Sequence, residues 1–158
     1  MRKAKIGSIM QTEKVGLFSI IFEGNSLDEF GLFKEKFKDD AKYQGDLNKV
    51  LSVINRILQN GAPERYFRFE GTKKDDVWAI PPYGNKLRLY CLRMTDSVLI
   101  VGNGGVKDTR TYEENEELNG YVITLQKLDE LIKKGIKDGS IIIEQTKIIM
   151  DDDKTFEL

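Results

Sequence analysis

Residues 86–101 read Lys86-Leu87-Arg88-Leu89-Tyr90-Cys91-Leu92-Arg93-Met94-Thr95-Asp96-Ser97-Val98-Leu99-Ile100-Val101. Side chains of an extended chain alternate between its two faces, so Leu87, Leu89, Cys91 and Arg93 share one face while Lys86, Arg88 and Tyr90 share the other. Thr95-Asp96-Ser97 supplies turn residues, and the short connection makes the flanking strands, Lys86 to Met94 and Val98 to Val101, an antiparallel pair. The apolar set predicts contact with covering helices. Lys86, Arg88 and Tyr90 are then expected to look into an open face, and Arg93, on the other parity at the hairpin end, ranks below Arg88 as a functional cation.

The same period of two extends upstream, where Tyr66 to Glu70 and Val77-Trp78-Ala79-Ile80 read as strands, with Gly71 and Pro81-Pro82-Tyr83-Gly84-Asn85 as turns. Before them the period lengthens. Leu47, Val50, Leu51, Ile54, Ile57 and Leu58 fit one face of a helix that starts near Asp46 and stops at Asn60-Gly61, with Pro63 beyond. A shorter helix precedes it. Ser26-Leu27-Asp28-Glu29 has the capping-box spacing, and Leu27, Phe30, Phe33 and Phe37 recur on one face. Gly16 to Glu23 is β-branched and aromatic enough for a strand, closed by Gly24-Asn25. Downstream, Leu118, Tyr121, Val122, Leu125, Leu128 and Ile132 mark a third helix that stops at Gly135 or Gly139, and Ile141 to Met150 reads as an added strand or hairpin. The expected fold is α+β in a single domain over 1–158: an N-terminal strand, two helices on one face of an antiparallel sheet, and a C-terminal helix plus an additional strand. The other sheet face is left free for work.

Composition narrows the chemistry. The 158 residues are 40% hydrophobic and 32% charged, with no His and one Cys, which suits one compact domain. Cys91 alone excludes an internal disulfide, and without His or a C-x-x-C pair no Cys/His metal site is possible. Serine and cysteine nucleophiles activated by His are also excluded, leaving Lys, Arg, Tyr, Asp and Glu to move protons. The apolar run Val15 to Phe22 is too short for a membrane span and runs into Glu23, so a cytoplasmic protein is expected. Charge is segregated: residues 65–112 carry nine Lys/Arg against five acids, and residues 113–158 carry six against twelve. This pattern admits a solvated surface of uneven charge or a polyanion-facing middle with an acidic tail. Gly102-Asn103-Gly104-Gly105 matches neither dinucleotide nor P-loop spacing, so close backbone approach or an unusual φ is the expected reason for its glycines.

The strand-helix-helix-strand order, Val77-Trp78-Ala79-Ile80, Gly84-Asn85-Lys86-Leu87-Arg88-Leu89-Tyr90, Val98-Leu99-Ile100-Val101 and Gly105-Val106-Lys107-Asp108-Thr109-Arg110-Thr111 together resemble the RelE/HigB-type toxins of bacterial toxin-antitoxin systems, in particular the phage-derived HigB-like branch. The resemblance covers about residues 16–112, leaving 113–158 as a C-terminal extension. It implies metal-independent cleavage of messenger RNA, usually on the ribosome, by attack of a ribose 2′-hydroxyl on the adjacent phosphate, with no cofactor. On this chain it implies Arg88 for transition-state charge, Lys107 for phosphate contact or proton transfer, and Tyr112 as a further catalytic candidate. Lys86, Tyr90 and Arg110 would bind RNA. The implied partners are a cognate antitoxin and the ribosome. A different class of function stays open, a catalytically inactive RelE-like module that binds proteins, or pairs with itself, through its C-terminal extension.

Overall fold

A computed structural model describes residues 1–70 and 74–158. Two strands open the chain, β1 (Lys3–Gln11) and β2 (Gly16–Phe22), followed by helices α1 (Glu29–Phe37) and α2 (Gln44–Asn60). Four more strands build the sheet: β3 (Arg68–Phe69), β4 (Val77–Ile80), β5 (Leu87–Thr95) and β6 (Val98–Val106). Helix α3 (Glu116–Asp138), a hairpin of β7 (Ile142–Glu144) and β8 (Lys147–Ile149), and β9 (Phe156–Glu157) complete it. The main sheet runs β3-β4-β5-β6-β2-β1-β9. The α+β class holds, with a sheet that is mostly antiparallel; β2 and β6 pair in parallel, Gly16 opposite Val98 through Ser19 opposite Val101.

Both faces of this sheet are covered. Phe30, Phe33 and Phe37 of α1 and Leu47, Val50, Ile54 and Ile57 of α2 pack on Leu17, Leu87, Leu89, Cys91, Leu99 and Val101, the face predicted for them. On the opposite face Leu118, Val122, Leu125, Leu128 and Ile132 of α3 pack on Phe18, Ile20, Ala79, Tyr90, Leu92 and Ile100. The second face is therefore not free, and this corrects the expectation drawn from Lys86, Arg88 and Tyr90. The physical reason is parity: Leu92 shares their face, and a helix with a complete apolar stripe has to bury it somewhere.

Smaller corrections follow from local chemistry. Asp28, not Ser26, caps α1, its carboxylate accepting from Gly31 N at 2.7 Å, and Leu27 stays exposed. The 66–70 stretch is a 3-10 turn over Glu64–Tyr66 and the two residues of β3, because Pro63 and the short reach of β4 leave little ladder. The predicted turn at Gly71 lies outside the described residues. Strand β1 was not expected at all. The 142–149 hairpin stands apart from the main sheet, and the strand that does join it is β9, on β1 at Lys3 and Ala4. Gly139, at φ 84°, ends α3 in the left-handed region that favours glycine.

Past Val101, strands β2 and β6 diverge, and the N-terminus of α1 fills the opening. Ser19 Oγ donates to Val101 O at 2.7 Å and accepts from Phe30 N at 3.3 Å. Asn103 Oδ1 takes Gly104 N–H at 2.8 Å, and Lys36 Nζ donates to Gly104 O at 2.6 Å, so backbone groups that lack a strand partner find side chains instead. Close approach explains the glycines: a Cβ at Gly104 would lie 1.8 Å from Arg88 O, and one at Gly105 would lie 3.0 Å from a Glu117 oxygen. Gly104→Ala should therefore destabilise the fold by on the order of 1–3 kcal/mol or more. Gly7→Ala on β1, where a Cβ meets nothing within 4 Å, should be neutral or stabilising. Urea unfolding of the two variants checks the contrast, and equal midpoints would contradict the packing described.

Candidate functional site

Strand pairing places the site. Arg68 lies opposite Ala79, and Ala79 opposite Tyr90, so Arg68 and Tyr90 stand in one row across the sheet on the α3 side. Glu70, two residues on from Arg68, and Arg88, two residues before Tyr90, share that face by alternation. The β5–β6 ladder shifts register between Leu89 and Cys91, which sets Tyr90 at an irregularity of the kind that re-aims side chains. Tyr112, opening a 3-10 turn (Tyr112–Glu114) ahead of α3, lays its ring edge-on to Tyr90 with centroids 6.3 Å apart.

The result is a polar cluster at the end of an otherwise apolar layer. Arg88 is 7% exposed and Tyr90 fully buried. Arg88 Nη1 donates to Asn85 O and to Leu87 O, and Arg68 Nε donates to Pro82 O at 3.1 Å. Three buried atoms in the cluster, Arg88 Nε, Tyr90 Oη and Glu70 Oε1, have no hydrogen-bond partner among the described residues. Each such atom costs about 1–3 kcal/mol relative to a paired one, and three together mark a site that packing alone does not explain.

The electrostatics fit that reading. Burial pushes the Glu70 carboxyl above the usual carboxylate range, against the pull of Lys107, Arg68 and Arg88. Burial and the like charge of Arg68 lower Arg88, with Glu70 opposing. Tyr90 is raised, by burial first and by Glu70 second, and Tyr112 is raised by burial and then by Glu113. A carboxyl, a guanidinium and a phenol thus sit close enough to act on one another in a poorly hydrated setting, the combination that stabilises a developing anion and moves a proton.

The structure brings Arg88, Tyr90 and Tyr112 together, with the Lys107 charge acting on the same carboxyl. Lys107 continues the β5–β6 ladder, its N–H donating to Lys86 O at 2.8 Å. Lys86 and Arg110 do not join the cluster; both side chains are exposed. Glu70 and Arg68 were missed. Their signal was present in the alternation of Tyr66 to Glu70, which gives Arg68 and Glu70 one parity, but a two-residue strand shows its partner only after pairing. Among the described residues no group of three or more Cys, Asp and Glu is arranged to hold a metal ion, and no helix is long and apolar enough to cross a membrane. No protein-family model matches the chain, and no curated protein matches its sequence.

A second polar group fastens the loop before β4 to α3. Asp129, 2% exposed, accepts from Lys133 Nζ at 2.8 Å, and Lys133 also reaches Asp76 at 3.5 Å. Burial raises the Asp129 carboxyl to about 6. The folded protein therefore holds this proton more tightly than the unfolded chain, so its contribution to stability is full below about pH 4 and falls as pH rises through about 6. Asp129→Asn should flatten that part of a stability-versus-pH profile measured by denaturant unfolding. The Tyr90 hydroxyl gives a separate test: Tyr90→Phe removes a buried group that has no partner, so stability should stay level or rise by up to about 1 kcal/mol. A fall of the urea midpoint would mean that the hydroxyl is bonded after all.

Proposed function

We propose that the protein is the toxin of a toxin-antitoxin pair, acting in the cytoplasm as a metal-independent endoribonuclease on messenger RNA, with Glu70, Arg88 and Tyr90 as its reacting groups. The observation that carries the reading is the set of three unpartnered buried polar atoms on Arg88, Tyr90 and Glu70, at the position where the resemblance to RelE/HigB-type toxins assigns the catalytic Arg. In the proposed step Glu70 as carboxylate takes the proton of the ribose 2′-hydroxyl while that oxygen bonds to the adjacent phosphorus. Arg88 carries the charge that builds on the phosphorane, and the Tyr90 hydroxyl protonates the departing 5′-oxygen. The products are a 2′,3′-cyclic phosphate and a 5′-hydroxyl end. Lys107, half-exposed at the end of β6, is the phosphate contact on the approach. Tyr90 is fully buried, with the Tyr112 ring and α3 over it, so the proposed step requires this cover to open.

A second reading rests on a different observation. The Arg88 guanidinium already bonds two backbone carbonyls and α3 covers the sheet face above it, which suits a catalytically silent relative of such toxins whose C-terminal region serves partner binding. Inducible expression in a bacterial host separates the two. Under the toxin reading, wild type arrests growth and cuts a reporter messenger RNA at sites mapped by primer extension, while Arg88→Ala and Tyr90→Phe lose both effects by at least tenfold. Arrest that survives Arg88→Ala would end the assignment of this site, and absence of arrest and cleavage with wild type would favour the silent module.

A further inference from the structure

A groove of about 680 Å³ opens between α2 and the loop joining β4 to β5. Lys49 and Arg56, seven residues apart and so on one face of α2, form one wall with Arg65 and Tyr66; Pro82 and Tyr83 form the other. No carboxylate is among the described residues that line it. Lys49, Arg56 and Arg65 form no ion pair among the described residues, while Lys36, Lys38 and Lys133 elsewhere each do. Asp46, one turn before Lys49, has its carboxylate engaged by Lys86 N–H at 3.2 Å, and Glu64 is exposed outside the lining. Two aromatic rings accompany the cations. Tyr83 is 79% exposed, and the Arg65 guanidinium lies over the Tyr66 ring at 4.9 Å.

We propose that this groove binds single-stranded nucleic acid, with Lys49, Arg56 and Arg65 on phosphates and the exposed ring of Tyr83 stacking a base. Three cations that form no ion pair among the described residues, set in a concave surface, attract a polyanion locally on a protein whose net charge is −1. A duplex offers phosphates but no free base faces, and an acidic peptide matches the cations but leaves an almost fully exposed Tyr83 unused. Unpaired bases use both kinds of group. The loop that forms this wall also holds the Arg88 cluster: Pro82 O accepts from Arg68, and Asn85 O, just past the lining, accepts from Arg88. The binding proposal stands independently of the cleavage reading.

The test is fluorescence anisotropy of the full chain with a labelled 12-nucleotide oligouridylate, a duplex of the same length and a poly-glutamate peptide, each in rising salt, with the RNA afterwards run on a gel. The expected result is that the single strand binds best. Lys49→Ala/Arg56→Ala/Arg65→Ala should weaken it at least tenfold and flatten the slope of log affinity against log salt by about 2, at roughly 0.7 per phosphate released. Tyr83→Ala should weaken it several-fold without changing that slope. A charge-matched control, Lys127→Ala/Lys134→Ala/Lys137→Ala on the exposed side of α3, should bind as wild type does; circular dichroism confirms that each variant is folded. Absence of binding, equal loss in the charge-matched control, or tighter binding of poly-glutamate would each overturn the proposal. Binding without cleavage would sustain the groove while counting against the endoribonuclease, and cleavage with groove variants that bind normally would do the reverse.

Discussion

Strand β6 is buried along its length from Val98 to Gly105, and the rest of the molecule is arranged by the need to cover both of its faces. Leu99 and Val101 face α1 and α2, and Ile100 faces α3. A strand of this kind needs a neighbour on each edge or substitutes for the bonds that a neighbour would make. β5 serves one edge, with an irregularity where Gly102 and Asn103 pass Tyr90. The other has β2 only as far as Val101, and beyond it Ser19, Asn103 and Lys36 supply the missing donors and acceptors. The same departure of β2 gives α1 its seat, since Phe30 N–H bonds the Ser19 hydroxyl that ties β2 to β6.

The polar cluster beside this layer runs against stability. Arg88, Tyr90 and Glu70 carry buried atoms without partners where Val, Phe or Leu would pack without that cost. Cys91, one residue away on the other face, shows what an inert buried group looks like: its thiol is fully enclosed, and burial alone raises it. Tyr90 differs in having a second ring against it and a carboxyl and a guanidinium within electrostatic reach.

Much of this architecture was legible in the sequence, and the reasons for the rest differ from element to element. The helical faces of α1, α2 and α3 are strongly periodic, and their ends carry Asn60-Gly61 and Gly139. The two faces of β5 followed from alternation. The occupant of the second face did not, although two signs were on display: Leu92 shares the parity of Arg88 and Tyr90, and Val98-Leu99-Ile100-Val101 has no alternation at all, the pattern of a strand buried on both sides. The helix that supplies that cover was legible from its own period, but as part of an extension after Tyr112 it had no assigned seat on the sheet. Strand β1 escaped because most of its residues are exposed, so a strand paired on its outer side only at Lys3 and Ala4 leaves little hydrophobic period to read. Within the cluster, Arg88, Tyr90 and Tyr112 were visible as residue types on a strand and its exit, whereas Glu70 and Arg68 depend on how β3 meets β4, a long-range fact.

Lys36 reaches from α1 to Gly104 O on β6 and to Glu117 and Tyr121 on α3. One side chain therefore spans the helical layers on opposite sides of the sheet, near the end where the Tyr112–Glu114 turn leads into α3. Its ammonium group is thus a polar strap that joins the two outer layers by way of a β6 carbonyl, at the end of the sheet where β2 has already departed.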